Sequence, residues 1–391
     1  MPSEAPRAHP LRALRHRNFK LFFTGQLISL IGTWMQQVAQ SWLIFRLTHS
    51  PLLLGFVGFA GQIPSFILGP IGGHIADAFD RRRTLVMTQS ASMILAFILA
   101  ALTLAGRIQN WHIFLLAALL GVVNAVDVPV RQAFLVQMVE REDLMNAIAL
   151  NSSMFNGARI VGPAVAGLLV AAIGEGWCFF ANAVSYIAVI IGLIMMSPRT
   201  VAPQSISSSP LANIVEGFRY VTQTAPIRAL LLLLGLASFA GMPYTVLMPV
   251  FADDIFHSGA RGLGILMGAS GVGALIGSVM LAMRATVRGL GRWVAIASAS
   301  FGLFAIAFAF SRSFMLSVIV LVPLGIAMMV QMVEREDLMN AIALNSSMFN
   351  GARIVGPAVA GLLVAAIGEG WCFFANAVSY IAVIIGLIMM S

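Results

Sequence analysis

Residues 51–104 read PLLLGFVGFAGQIPSFILGPIGGHIADAFDRRRTLVMTQSASMILAFILAALTL. Two apolar runs flank one charged knot, from Asp77 to Arg83. Each run is long enough to cross a hydrocarbon core, which takes about 20 mostly apolar residues. Neither shows the polar face that a helix in water would need. The pattern recurs along all 391 residues, with 59% hydrophobic and 10% charged residues and a mean hydropathy of +0.93. Soluble domains carry about a quarter charged residues. Backbone groups in lipid must be satisfied within each segment, so the runs read as helices. The fold class expected is an all-α polytopic membrane protein. About twelve spans are predicted, near 19–46, 51–77, 84–106, 111–136, 146–173, 176–197, 226–250, 262–284, 290–311, 313–333, 340–367 and 370–391. The seventh could stop early, at Pro243 or Pro249.

The net charge of +8 is distributed by topology. Arg7, Arg12, Arg15, Arg17 and Lys20 precede the first span, and Arg81, Arg82 and Arg83 follow the second. Arg199, Arg219 and Arg228 follow the sixth, and Arg284, Arg288 and Arg292 the eighth. The alternate loops hold only Arg46, Arg107, Arg261 and Arg312. Basic loops stay in the cytoplasm, so both termini are expected there. This placement argues against a nucleic-acid partner; the partners expected are the lipid bilayer and a small-molecule substrate. Cys178 and Cys372 allow no disulfide framework. The first apolar stretch is too long and too polar-dotted for a cleaved signal peptide. A Ser/Pro-rich linker with an amphipathic continuation, 198–225, divides a first six-helix bundle, 1–197, from a second, 226–391.

Residues 136–197 recur without a change at 330–391, 62 residues at an offset of 194. The expected last two helices are therefore an identical copy of helices five and six. Val128-Pro129 and Val322-Pro323 keep the same offset while their neighbours differ, so the copy lies in register with an older similarity between halves. Internal repeats are usual in transporters. Perfect identity points instead to a recent recombination or a misassembled gene, because a membrane helix tolerates many apolar exchanges.

Two six-helix halves, together with Gly73, Asp77, Arg81 and Arg82 after helix two, resemble the major facilitator superfamily. Its signature there is Gly-x-x-x-Asp-Arg/Lys-x-Gly-Arg-Arg/Lys; Ala78 and Asp80 depart from it. The stretches 17–23, 124–133 and 156–163 resemble the bacterial efflux branch that includes the enterobactin exporter. That resemblance implies two bundles around a central cavity, alternating access, and residence in a bacterial inner membrane. It also implies that the motif is a gate in which Asp77 takes bonds from neighbouring arginines and a helix N-terminus. Gly162, Pro163 and Gly167 resemble the helix-five motif of antiporters, with Ala166 in place of a usual glycine. Ala117 stands where many proton-driven members carry arginine, so protons are the implied coupling ion without that residue.

The remaining candidates follow from the residues themselves. Gln26, Ser29, Thr33, Gln36, Gln37 and Gln40 recur at spacings of three and four, a polar stripe that must face other helices or a wet cavity. The superfamily architecture favours the cavity. Asp127 and Arg131 share a helix face. Arg159 lies near mid-bilayer, where a charge nearly always has a partner. A pair between Asp127 and Arg159 is expected, either static or broken during the cycle by a proton or an anionic substrate. No metal-ligand cluster and no Gly-x-x-x-x-Gly-Lys loop occurs, so no cofactor, no enzyme and no direct ATP coupling is expected. The resulting expectation is a monomeric, proton-coupled exporter of a siderophore- or drug-like molecule. An importer and an impaired recombinant are the alternatives.

The copy has a consequence. Arg353 repeats Arg159, yet Leu321 stands where Asp127 would recur. Helices eleven and twelve also face neighbours they were not selected against. Purified yield and transport are expected to fall below those of a relative with distinct last helices, with equal values in both assays refuting this.

Overall fold

The computed structural model describes residues 11–197, 243–282 and 290–333. These hold ten α-helices: α1 (Arg17–Thr48), α2 (Pro51–Ala78), α3 (Arg81–Leu104), α4 (Asn110–Leu135), α5 (Leu144–Ile173), α6 (Glu175–Met195), α7 (Pro243–Val250), α8 (Gly259–Ala282), α9 (Leu290–Phe310) and α10 (Phe314–Val333). Six of them are long and apolar enough to cross a membrane. α1, with 32 residues, measures about 48 Å at 1.5 Å per residue but carries the polar stripe. The bounds of α1–α6 and α8–α10 lie within a few residues of the expected spans, and residues 226–242 of the seventh span lie outside the described residues. The seventh does not stop at Pro249, because α7 continues into a π-helical turn, Phe251–Ile255. The predicted helices eleven and twelve, the identical copy and the linker 198–225 lie outside the described residues.

Short connections force neighbours to run antiparallel. His49, in the left-handed region at φ 46°, and Ser50 alone join α1 to α2. The Ser50 hydroxyl accepts from Leu53 N–H, and Pro51 occupies the first helical position, where its missing donor costs nothing. Gly174, at φ 88°, is the one residue between α5 and α6. Within the first half α1 packs on α5 and α6, α2 on α4, and α3 on α4 and α6. In the second, α8 and α9 pack on α10.

The halves meet along α5 and α8. Gly167 and Gly264 lie backbone to backbone, and a Cβ on either would overlap the other's Cα. Small residues allow this approach, since dispersion between close backbones drives helix association in lipid. At this end, away from the basic loops, one apolar core draws on both halves: Leu43, Phe45 and Phe179 with Phe251, Leu266 and Phe308. At the basic end a second core, including Phe19, Leu85, Phe134 and Leu193, belongs to the first half alone among the described residues. Met87, Leu168 and Leu303 are among many large apolar side chains left exposed, the surface expected to face hydrocarbon.

α2 crosses α4 through Gly72, where a Cβ would overlap the Ala125 carbonyl, and not through the motif glycine Gly73, where it would meet nothing within 4 Å among the described residues. Gly72→Val is expected to cost about 2–3 kcal/mol by overpacking. Size-exclusion profiles in detergent should show aggregation for Gly72→Val and a monodisperse peak for Gly73→Ala.

Candidate functional site

The basic loop is built from helix ends. Asp80 caps α3, its carboxylate accepting from Arg83 N–H at 2.7 Å. The departure from glycine at this position thus supplies an N-cap, with a negative charge at the positive end of the helix dipole. Asp77 forms an ion pair with Arg81 at 3.6 Å, beyond hydrogen-bond length, and is half exposed. Arg81 also donates to Ala76 O at 2.9 Å and Ala133 O at 3.0 Å. Arg82 donates to Leu193 O at 2.6 Å and to Ile194 O. Two guanidinium groups therefore satisfy last-turn carbonyls of α2, α4 and α6. These orphan acceptors attract cations. The sequence reading paired the arginines with Asp77 or with the membrane interface and missed these carbonyls, which come from three separate stretches of chain.

The α1 stripe divides. Gln26, Ser29 and Gln36 are buried, Thr33 and Gln40 are partly buried, and Gln37 is exposed. Gln36 Oε1 accepts from Asn182 Nδ2 of α6 at 2.8 Å, and Thr33 donates back to Ser29 O at 2.9 Å. The Tyr186 phenol of α6 faces Thr33, Asn182 and Ser92. Much of the stripe thus serves contacts among α1, α3 and α6.

Asp127 is the buried carboxylate of α4, 2% exposed. Its Oδ1 accepts from Thr88 Oγ1 at 2.7 Å and Gln89 Nε2 at 2.8 Å, both of α3, and its Oδ2 faces Arg131 Nη2 at 3.4 Å. The expected partnership with Arg159 is therefore replaced by one within α4. Arg131 lies one turn away on the same face, so pairing requires no interhelical reach. Gln89 Oε1 is buried without a hydrogen-bond partner.

Arg159 belongs to a different place. Its guanidinium stands 5.7 Å from the ring centroid of Trp34 on α1, and Nη2 donates to the Met328 thioether on α10 at 3.7 Å. Phe155 packs edge-on against the same indole at 5.6 Å. Cation–π contact gains strength when water is excluded. The helix-five motif positions this group: a Cβ on Gly162 would press on Trp34 and the Ile31 carbonyl, Pro163 is buried beside it, and Gly167 meets α8. One helix thus touches α1 with one glycine and the second half with another, carrying Arg159 to the seam between halves.

His49, Asp253 and Asp254 bring ligand-type atoms within 4.8 Å of one another at the opposite end, where the π-helical turn approaches the α1–α2 connection. Sequence spacing gave no sign of this grouping because its members come from different halves. His49 and Asp254 are exposed, and exposed acidic groups of this kind are common without an ion.

The sequence profile of the transmembrane secretion effector family matches residues 8–330 and, separately, 323–391. The chain belongs to this family, within the major facilitator superfamily. Among curated relatives, the staphyloferrin A transporter of Staphylococcus aureus is 31% identical over 265 residues, 67% of this chain and 66% of that protein. The enterobactin exporter EntS of Shigella boydii and of Escherichia coli is 26% identical over 264 residues, 68% of this chain and 63% of theirs. The chain thus spans slightly less than two thirds of the length of these relatives. Two structures of the nucleoside transporter NupG superpose with TM-scores of 0.69 and 0.68 at 14% and 16% identity. They cover 98% and 96% of this chain and 100% and 98% of theirs, a likeness of fold.

In this member of the superfamily the arginines at the start of α3 differ in duty. Arg82→Ala strips two α6 carbonyls of their donor, whereas Arg83 holds the loop through its backbone N–H. Leaving such acceptors unsatisfied costs about 1–3 kcal/mol. Thermal unfolding in detergent should show a lower midpoint for Arg82→Ala and an unchanged one for Arg83→Ala.

Proposed function

We propose that this chain is a secondary active transporter that exports a small anionic or amphipathic molecule, siderophore- or drug-like, across a bacterial inner membrane by alternating access, driven by protons. The observation that carries this reading is Arg159, a cation on α5 that touches α1 in one half and α10 in the other. A substrate anion arriving from the basic end would draw the guanidinium from Trp34 and Met328 into charge-assisted bonds. It would thereby change a contact that spans the seam. Differential contacts of this kind are what bias one access state over another.

The coupling carboxylate in this reading is Asp127. It lies about 12 Å from the basic end of α4, at 1.5 Å per residue. Protonation removes its charge and releases Arg131, so proton binding is felt at the basic end of the bundle. The loop that holds Asp77, Arg81 and Arg82 would act as the gate there. The α5–α8 contact and the shared apolar core would form the gate at the other end. The bias of basic residues supports cytoplasmic termini, and the siderophore exporters among the relatives favour export. The transporter is taken to act as a monomer, with the cavity stripe of α1 contributing through Gln37 and Gln40.

The test uses proteoliposomes with an imposed pH gradient and radiolabelled staphyloferrin A and enterobactin as probes. Asp127→Asn should abolish uphill transport and its pH dependence while leaving downhill exchange. Arg159→Gln should raise KM at least about tenfold for an anionic cargo, with Arg159→Lys intermediate. Uphill transport by Asp127→Asn with the wild-type pH profile would sink the coupling assignment.

A further inference from the structure

Around Asp127 the hydrogen-bonding groups do not balance, and the imbalance is informative. The charged carboxylate is served by two donors on one oxygen, Thr88 Oγ1 and Gln89 Nε2. The same hydroxyl lies 3.1 Å from Leu85 O, an acceptor within its own helix. A hydroxyl has one hydrogen, so Thr88 donates either to Asp127 or to Leu85. Gln89 is 4% exposed, yet its carbonyl oxygen Oε1 has no partner. Buried acceptors are rarely left so, and each such case calls for an explanation.

We infer that Thr88 and Gln89 form a two-state clamp on Asp127 that offers donors to the carboxylate and acceptors to the acid, and so holds the carboxyl in place in either state. The inference rests on the reading of Asp127 as the coupling carboxylate. In the charged state the clamp is as observed, and Gln89 Oε1 remains orphaned. When a proton from water binds Asp127, Thr88 turns its hydrogen to Leu85 O and its oxygen accepts from the acid. Alternatively, the Gln89 amide turns over and Oε1 accepts. Neither change needs backbone movement. One negative charge is lost, and Arg131, no longer held by a carboxylate, is free to move.

Among the described residues, the charged and titratable groups that face Asp127 are two: on α4, Arg131; on α6, the Tyr186 phenol, which interacts with it electrostatically. From α3 come the uncharged Thr88, Gln89 and Ser92, while Arg81 and Arg82 donate to helix carbonyls. α1 has no titratable residue between Lys20 and Arg46, and the two of α2, His74 and Asp77, are exposed. The clamp is therefore the principal uncharged determinant of the site.

The proton itself is the probe. Purified protein in lipid is titrated from acid to alkaline pH, and the carboxyl C=O band is followed by difference infrared spectroscopy. Asp127→Asn identifies the band by its loss. Thr88→Val and Gln89→Met each remove one partner while keeping the volume, and each should shift the position of that C=O band, as expected when a hydrogen bond to the carboxyl is lost. Thr88→Ser should restore it. Two results overturn the inference: band positions in Thr88→Val and Gln89→Met that match wild type, or equal shifts in Thr88→Val and Thr88→Ser. If no titrating band disappears in Asp127→Asn, the coupling assignment itself fails, an outcome distinct from failure of the clamp.

Discussion

The structure depends on a constraint set by the solvent: inside a bilayer every backbone carbonyl must find a donor in the protein. Helix ends are where this is hardest, because the last turn has no intrahelical partners. At the basic end three helices finish together, and Arg81 and Arg82 reach across to their carbonyls. Asp80 does the converse for the start of α3. A loop of two residues, Phe79 and Asp80, thereby ties four helices at one level. The arginine-rich turn is a structural knot as well as a topological signal. Any movement of this end must either carry the four helices together or exchange these bonds.

The same economy governs the interior. Buried polar side chains meet one another on α1, α3, α4 and α6. Burial of Asp127 is tolerable because its charge is shared among an arginine and two neutral donors. Arg159 has an aromatic face and a thioether among its neighbours.

Much of this was legible in sequence. Apolar length and basic punctuation placed the spans of α2–α6 within a few residues, because bilayer thickness and helix rise leave little freedom. Spacing placed Asp127 and Arg131 on one face. It named Arg159 as the partner instead of that neighbour, since depth along two helices says nothing about their rotation. For the same reason the motif pointed to Gly73 while the crossing used Gly72: adjacent residues on a helix differ by 100° in direction. Thr88 and Gln89 carried no signal at all, being ordinary polar residues in an apolar run. Only the third dimension brings them to a carboxylate 38 and 39 positions away.

The halves, although related by an internal repeat, are unequal in charge. Within the helices, α10 has Leu321 where α4 has Asp127, and from Phe314 to Val333 it holds no ionisable side chain. Leu321 is fully buried in the core shared by both halves. Among the described residues, α8 and α10 supply the seam contacts Gly264 and Met328. Arg159 reaches the seam because Gly162, Trp34 and Gly167 place it there.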